Sequence, residues 1–152
     1  MTEPPPGVIA RALERAMGSG CQKSRRGAAV FRWFVPPHPL ILGSGANRPA
    51  QGACDGSAEC RRDCSKICLH AEQVALLAAG GDAEGAEMVH VKVDATDALV
   101  PSGDPCCVEC SKLMLAAGVA GVWLYQEAGW RRWTAAEFHQ ATLQKLGLHT
   151  AP

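Results

Sequence analysis

Residues 69–73 read Leu69-His70-Ala71-Glu72-Gln73, and residues 107–113 read Cys107-Val108-Glu109-Cys110-Ser111-Lys112-Leu113. Between them Val89, Val91 and Val93 alternate with Met88, His90, Lys92 and Asp94. That period of two predicts a strand over 87–94. The stretch from Leu69 to Ala79, stopped by Gly80-Gly81, reads as a helix, and so does Cys107 to Ala117, closed by Gly118. Each quoted motif therefore opens a helix just after a strand and loop. In an open α/β sheet of this order, both helix N-termini open at the same sheet edge.

Outward from this centre the alternation continues. Ile9, Leu13 and Met17 share one face of a helix over 8–17, ended by Gly18-Ser19-Gly20. Residues 28–35 read as a strand, Pro36-Pro37-His38-Pro39 as a turn, and Leu40-Ile41-Leu42 as a short hairpin partner. From Gly43 to about Asp63 the chain reads as a long polar loop or small irregular insert, and loops of that length tend to be functional. Val119 to Tyr125 reads as a strand. Thr134-Ala135-Ala136-Glu137 has capping-box spacing and starts a last helix reaching about Leu146. The order predicts a three-layer α/β/α architecture in one domain, residues 1–152. Its mixed sheet starts with a β-hairpin and has parallel later strands.

Composition limits the function classes. Of 152 residues, 47% are apolar and 20% charged, which suits a folded core and not a disordered chain. Fifteen Lys and Arg balance fifteen Asp and Glu, so no global basic field draws in extended nucleic acid. No apolar run has the ~20 residues of a membrane span. The start, Met1-Thr2-Glu3-Pro4-Pro5-Pro6-Gly7, has no signal-peptide pattern, so a cytoplasmic, reducing location is expected.

Eight cysteines in a reducing setting read as thiols or metal ligands. His70, Cys107 and Cys110 suit zinc, since imidazole and thiolate are its preferred donors. The gap of two residues lets both thiolates reach one ion, and a helix N-terminus lowers a thiol's pKa. Three ligands leave a fourth position for water, the arrangement of a catalytic site, and Glu72 is placed to move protons beside it. The competing reading is a structural zinc knuckle, with Glu72 an ordinary surface acid.

His-x-Glu followed by Cys-x-x-Cys is the signature of the zinc-dependent base deaminases. Over residues 28–146 the chain resembles the cytidine deaminase superfamily, and its cytidine-deaminase-like fold is what that likeness implies. Gly43-Ser44-Gly45-Ala46-Asn47-Arg48-Pro49 resembles the strand-end loop in which an Asn contacts sugar or base, making Asn47 the matching residue. The run from Cys107 to Gly118, with a Cys-bearing insert at about 48–68, is similar to the deoxycytidylate branch. The family pattern puts Pro directly before the first Cys, where this chain has Cys106. A register through Cys106 and Cys110 is the alternative, and Cys106 otherwise reads as a small buried residue.

The resemblance implies one catalytic Zn2+ held by His70, Cys107 and Cys110. Glu72 would carry the proton of an activated water to the ring nitrogen and the leaving ammonia, with attack at C4 of cytosine. The backbone amide of Ala71 would help fix the base. The substrate would be a small cytosine nucleotide or nucleoside, and related enzymes suggest a homo-oligomer. Adenine in tRNA, guanine, or a non-catalytic zinc-binding interaction module are the alternatives.

Cys54, Cys60, Cys64 and Cys68 form a candidate second, structural zinc site that pins the insert, against a bland reading as packed free thiols. Cys21 reads as a plain thiol, and His90 as a strand residue facing solvent or a helix. Arg61-Arg62 is a candidate 5′-phosphate contact. Trp130-Arg131-Arg132-Trp133 reads as packing in preference to a base-stacking surface.

Overall fold

The computed structural model describes residues 2–150, so Met1, Ala151 and Pro152 lie outside the described residues. The N-terminal apolar stripe forms α1 (Pro6–Met17), which begins at the proline instead of at residue 8. Proline suits a first helical position, where the backbone N–H has no helical partner anyway. The hairpin is β1 (Arg25–Val35) and β2 (His38–Ala46), both longer than the apolar runs suggest.

The insert is ordered. It contains β3 (Arg48–Pro49), α2 (Ala58–Ile67) and β4 (Cys68–Leu69), and β3 pairs antiparallel with β4 to close its neck. Of the stretch expected as a loop from Gly43 to Asp63, residues 50–57 are irregular, while the rest holds the end of β2, β3 and the start of α2. Ser57 caps α2 by accepting the Cys60 N–H at 3.0 Å. α2 buries no residue, so it has no apolar stripe for a periodicity argument to detect.

Next come α3 (Ala71–Ala79), a 3-10 turn at Gly80–Ala83, β5 (Glu87–Val93) and β6 (Leu99–Val100). The chain finishes with α4 (Val108–Ala116), β7 (Gly121–Gln126), β8 (Gly129–Thr134) and α5 (Ala135–Lys145). α3 starts after Leu69 because Leu69 pairs with Arg48, leaving His70 as the N-cap. Thr134 and Glu137 form the expected capping box, with bonds of 3.1 and 2.8 Å.

The main sheet runs β2-β1-β5-β7-β8, with β6 added on β5. β5 and β7 are parallel and supply the parallel pairing expected late in the chain, while β8 turns back antiparallel. β8 is an unforeseen strand made from the Trp130–Trp133 cluster. Trp130 packs on one face and Trp133 on the other, and Arg132 pairs with Glu87 at 2.8 Å. Both indoles are spent on packing. Among the described residues no helix is long and apolar enough to cross a membrane.

Helices cover both faces. α1 sets Val8, Ala12 and Ala16 against Ala29, Phe31 and Val89. On the other face α3, α4 and α5 set Ala75, Met114 and Phe138 against Ala28, Val30 and Met88. The approach of α3 is very close. A Cβ on Gly43 would lie 2.5 Å from the Ala75 carbonyl oxygen, and one on Gly45 would lie 2.4 Å from Val74 Cγ1. That contact is why a Gly-rich stretch is a strand here, since only glycine lets the helix backbone settle on it.

Candidate active site

Two helix starts build the site. His70 stands at the N-cap of α3, where its backbone N–H donates to Gln73 Oε1 at 2.8 Å. Cys107 is the N-cap of α4, and its Sγ accepts the Cys110 N–H at 3.3 Å. The two tips meet. His70 Nδ1 lies 3.1 Å from Cys110 Sγ and 3.2 Å from Cys107 Sγ, and the sulfurs are 3.0 Å apart. Among the described residues this is the one group of three or more His, Cys, Asp or Glu donors close enough to share an ion.

The protons on this trio follow from the contacts. The hydrogen bond between Cys107 and Cys110, against the cost of burial, lowers the Cys107 thiol to about 5, helped by His70. Cys110 is pushed up by that same bond and by burial. His70 is raised by Cys107, with burial opposing. A sulfur favoured as thiolate is the form in which cysteine binds a cation.

Glu72 is buried behind the trio, its Oε2 at 3.9 Å from Cys110 Sγ. Burial raises its carboxyl, yet His90, a backbone N–H, His70 and Arg26 together hold it below the ordinary value. Its other oxygen, Oε1, lies 3.4 Å from Nε2 of His90. His90 is a residue that sequence reasoning did not assign to the site. It is buried and faces α3, and burial lowers its pKa despite the attraction of Glu72.

His70, Glu72, His90 and Cys107 line a cavity of about 400 Å³, while Cys110 is fully buried beside them. Asn47 and Ala71 both reach the cavity. Asn47 is largely committed to the chain. Its Oδ1 accepts from Arg26 N and Ser19 Oγ, each at 2.8 Å, and its Nδ2 donates to the Ser24 carbonyl at 2.6 Å. It ties the loop after α1 to β1 and keeps one N–H for another partner. Lys23 and Arg26, which the sequence did not single out, also line the cavity.

Two expectations need correction. Cys106 is exposed at the cavity rim, and Pro105 is the residue turned inward. Because Cys107 caps α4 and joins His70, the register through Cys107 and Cys110 is the one that forms the trio. Arg61 and Arg62 do not line the cavity. Arg61 donates to the Gln22 and Gly56 carbonyls, and Arg62 pairs with Asp63. The four insert cysteines do not converge as the trio does. Cys54 and Cys60 lie 3.5 Å apart, while Cys64 and Cys68 face the cavity together with Cys21.

Comparison with protein-family models gave no match, and neither did comparison with curated proteins. Solved structures did match. The dCMP deaminase of cyanophage S-TIM5, in complex with dCMP and dUMP, aligns over 98% of both chains with a TM-score of 0.53 and 24% identity. Its apo form aligns over 76% of this chain and 77% of its own, with a TM-score of 0.51 and 24% identity. A likeness of that degree speaks to the arrangement of the elements, and it agrees with the sheet and the two converging helix tips described above. The chain is built on the cytidine-deaminase fold that dCMP deaminase also has.

Proposed function

We propose that this chain is a zinc-dependent hydrolytic deaminase that converts a cytosine nucleotide such as deoxycytidine monophosphate, with water, to the uracil compound and ammonia. One observation carries the reading. Three zinc-type donors meet within 3.2 Å at two helix tips, with a buried carboxylate beside them in a cavity. The donor set fits zinc, because one imidazole nitrogen and two sulfurs this close can share an ion whose bonds are about 2.0–2.3 Å long. Zinc held by His70, Cys107 and Cys110 would supply an acidified water as nucleophile.

The other tasks belong to the chain. Glu72, a carboxylate at neutral pH, takes the proton of the attacking water. After attack it takes the second proton, from the newly added hydroxyl, so that one proton goes to the ring nitrogen and the other to the departing amine. Ala71, at the first turn of α3, offers a backbone N–H to the base. Walls from Leu124 and Phe138 exclude bulk water from the reacting face. Lys23 and Arg26 put two cations on the cavity lining, which suits the phosphate of a nucleotide better than a bare nucleoside. The fold neighbour solved with dCMP and dUMP supports the same substrate class.

The test is ammonia release from zinc-loaded protein across cytosine, cytidine, deoxycytidine and their monophosphates, then adenine and guanine compounds. Turnover of a cytosine monophosphate above its nucleoside supports the proposal. Preference for another base changes the substrate, and bound zinc with no ammonia from any compound leaves an interaction module. The second zinc proposed for the insert is read from the same preparation: two zinc per chain supports it, and one overturns it.

A further inference from the structure

His90 sits in the middle of β5, on the face turned to α3, where its neighbours along the strand are Val89 and Val91. It is 3% exposed and lines the cavity, and neither ring nitrogen has a hydrogen-bond partner within the chain. A buried imidazole left unpartnered is costly, and an apolar residue would suit the strand better. What stands nearest is Glu72, whose carboxylate is divided between two directions. Oε2 faces Cys110 Sγ at 3.9 Å, and Oε1 faces His90 Nε2 at 3.4 Å.

We propose that His90 is a positioning residue for Glu72. Its Nε2–H donates to Oε1 and fixes the rotation of the carboxylate, so that Oε2 stays turned toward the donor trio. The contact needs only a few tenths of an ångström of closure to reach ordinary hydrogen-bond length. The inference rests on the deaminase reading, in which Glu72 must hold one oxygen toward the attacking water.

A neutral donor suits this task. Arginine or lysine at position 90 would orient the carboxylate through a full charge and weaken it as a proton acceptor. A neutral imidazole N–H orients it at less cost in basicity. The other charged groups acting on the ring are His70 and Arg26, and both disfavour a positive charge on His90, as burial does. Sequence inspection passes over such a residue because nothing in its local spacing ties it to His70 or Glu72. The tie is made by the packing of α3 on β5.

Two measurements test the assignment on the zinc-loaded chain. The first is the ring-nitrogen NMR of 15N-labelled His90, whose tautomer is read in the wild-type chain. A proton on Nε2, with a resonance that moves in Glu72→Ala, is expected; a proton on Nδ1 overturns the proposal. The second compares His90→Phe, which keeps a ring but has no donor, with His90→Gln, which keeps an N–H. His90→Phe should lower kcat roughly tenfold to a hundredfold, the scale of a misplaced catalytic group, with KM changed little and zinc retained. His90→Gln should recover most of that loss. Equal losses in the two variants, an unchanged kcat in His90→Phe, or a change confined to KM overturns it. If wild-type protein deaminates nothing, the deaminase reading fails by itself, and the ring tautomer still reports on the His90–Glu72 contact.

Discussion

Glu72 donates nothing to the trio, so metal binding and turnover should separate when it is removed. Glu72→Ala is expected to keep its zinc by metal analysis and to lose activity by about 10²–10⁴-fold, the worth of a positioned acid–base group. Retained turnover would remove Glu72 from the chemistry. Arg26 is held at the cavity by a bond of its Nε to Ser24 Oγ at 3.0 Å. Arg26→Ala should raise KM for a cytosine monophosphate about tenfold and leave the nucleoside unaffected, the size of one charge-assisted contact. Equal effects on both would show that it touches no phosphate. At this scale the sequence is legible where function is written in local spacing. His70 with Glu72, and Cys107 with Cys110, are neighbours on one helical turn each. Arg26 and His90 arrive through β1 and β5, which pair Ala28 with His90, and such cross-strand contacts leave no mark in a single chain.

Elements were legible to the extent that they carry an apolar pattern. α1, β5 and the capped α5 announce themselves, through a stripe, an alternation and a capping box. α2 lies on the surface without a buried face, and β8 reads as a polar cluster because Arg131 and Arg132 intervene between its tryptophans. The end of β2 was hidden by its glycines, which look like loop residues and are there for close packing. Gly43→Ala drives a Cβ into the α3 backbone at 2.5 Å and should destabilise the fold by about 1–3 kcal/mol in denaturant melts. Gly81→Ala meets nothing within 4 Å and serves as the control. Equal midpoints for the two variants would show that α3 does not rest on β2 as described.

The whole molecule links this buried site to its stability. His90 is held below the ordinary imidazole value of about 6.5, first by burial. Its neutral form is favoured in the folded chain, so the unfolded chain binds more protons just below that pH. The contribution is fully present above about pH 6.5 and is lost as pH falls toward the folded value. Between pH 7 and pH 5 zinc-free wild-type protein should therefore lose more melting temperature than zinc-free His90→Gln. Parallel profiles would mean that His90 stays out of the titration.

The architecture, a sheet with helices on both faces that brings two helix tips together, has its clearest chemical consequence at the three donors His70, Cys107 and Cys110. The most direct measurement is ammonia release from deoxycytidine monophosphate by one preparation, before chelation, after chelation and after zinc is returned. Activity that disappears with the zinc and comes back when His70, Cys107 and Cys110 are reloaded is the result this structure predicts. Turnover that persists without the metal, or a fully loaded protein that releases no ammonia, would contradict it.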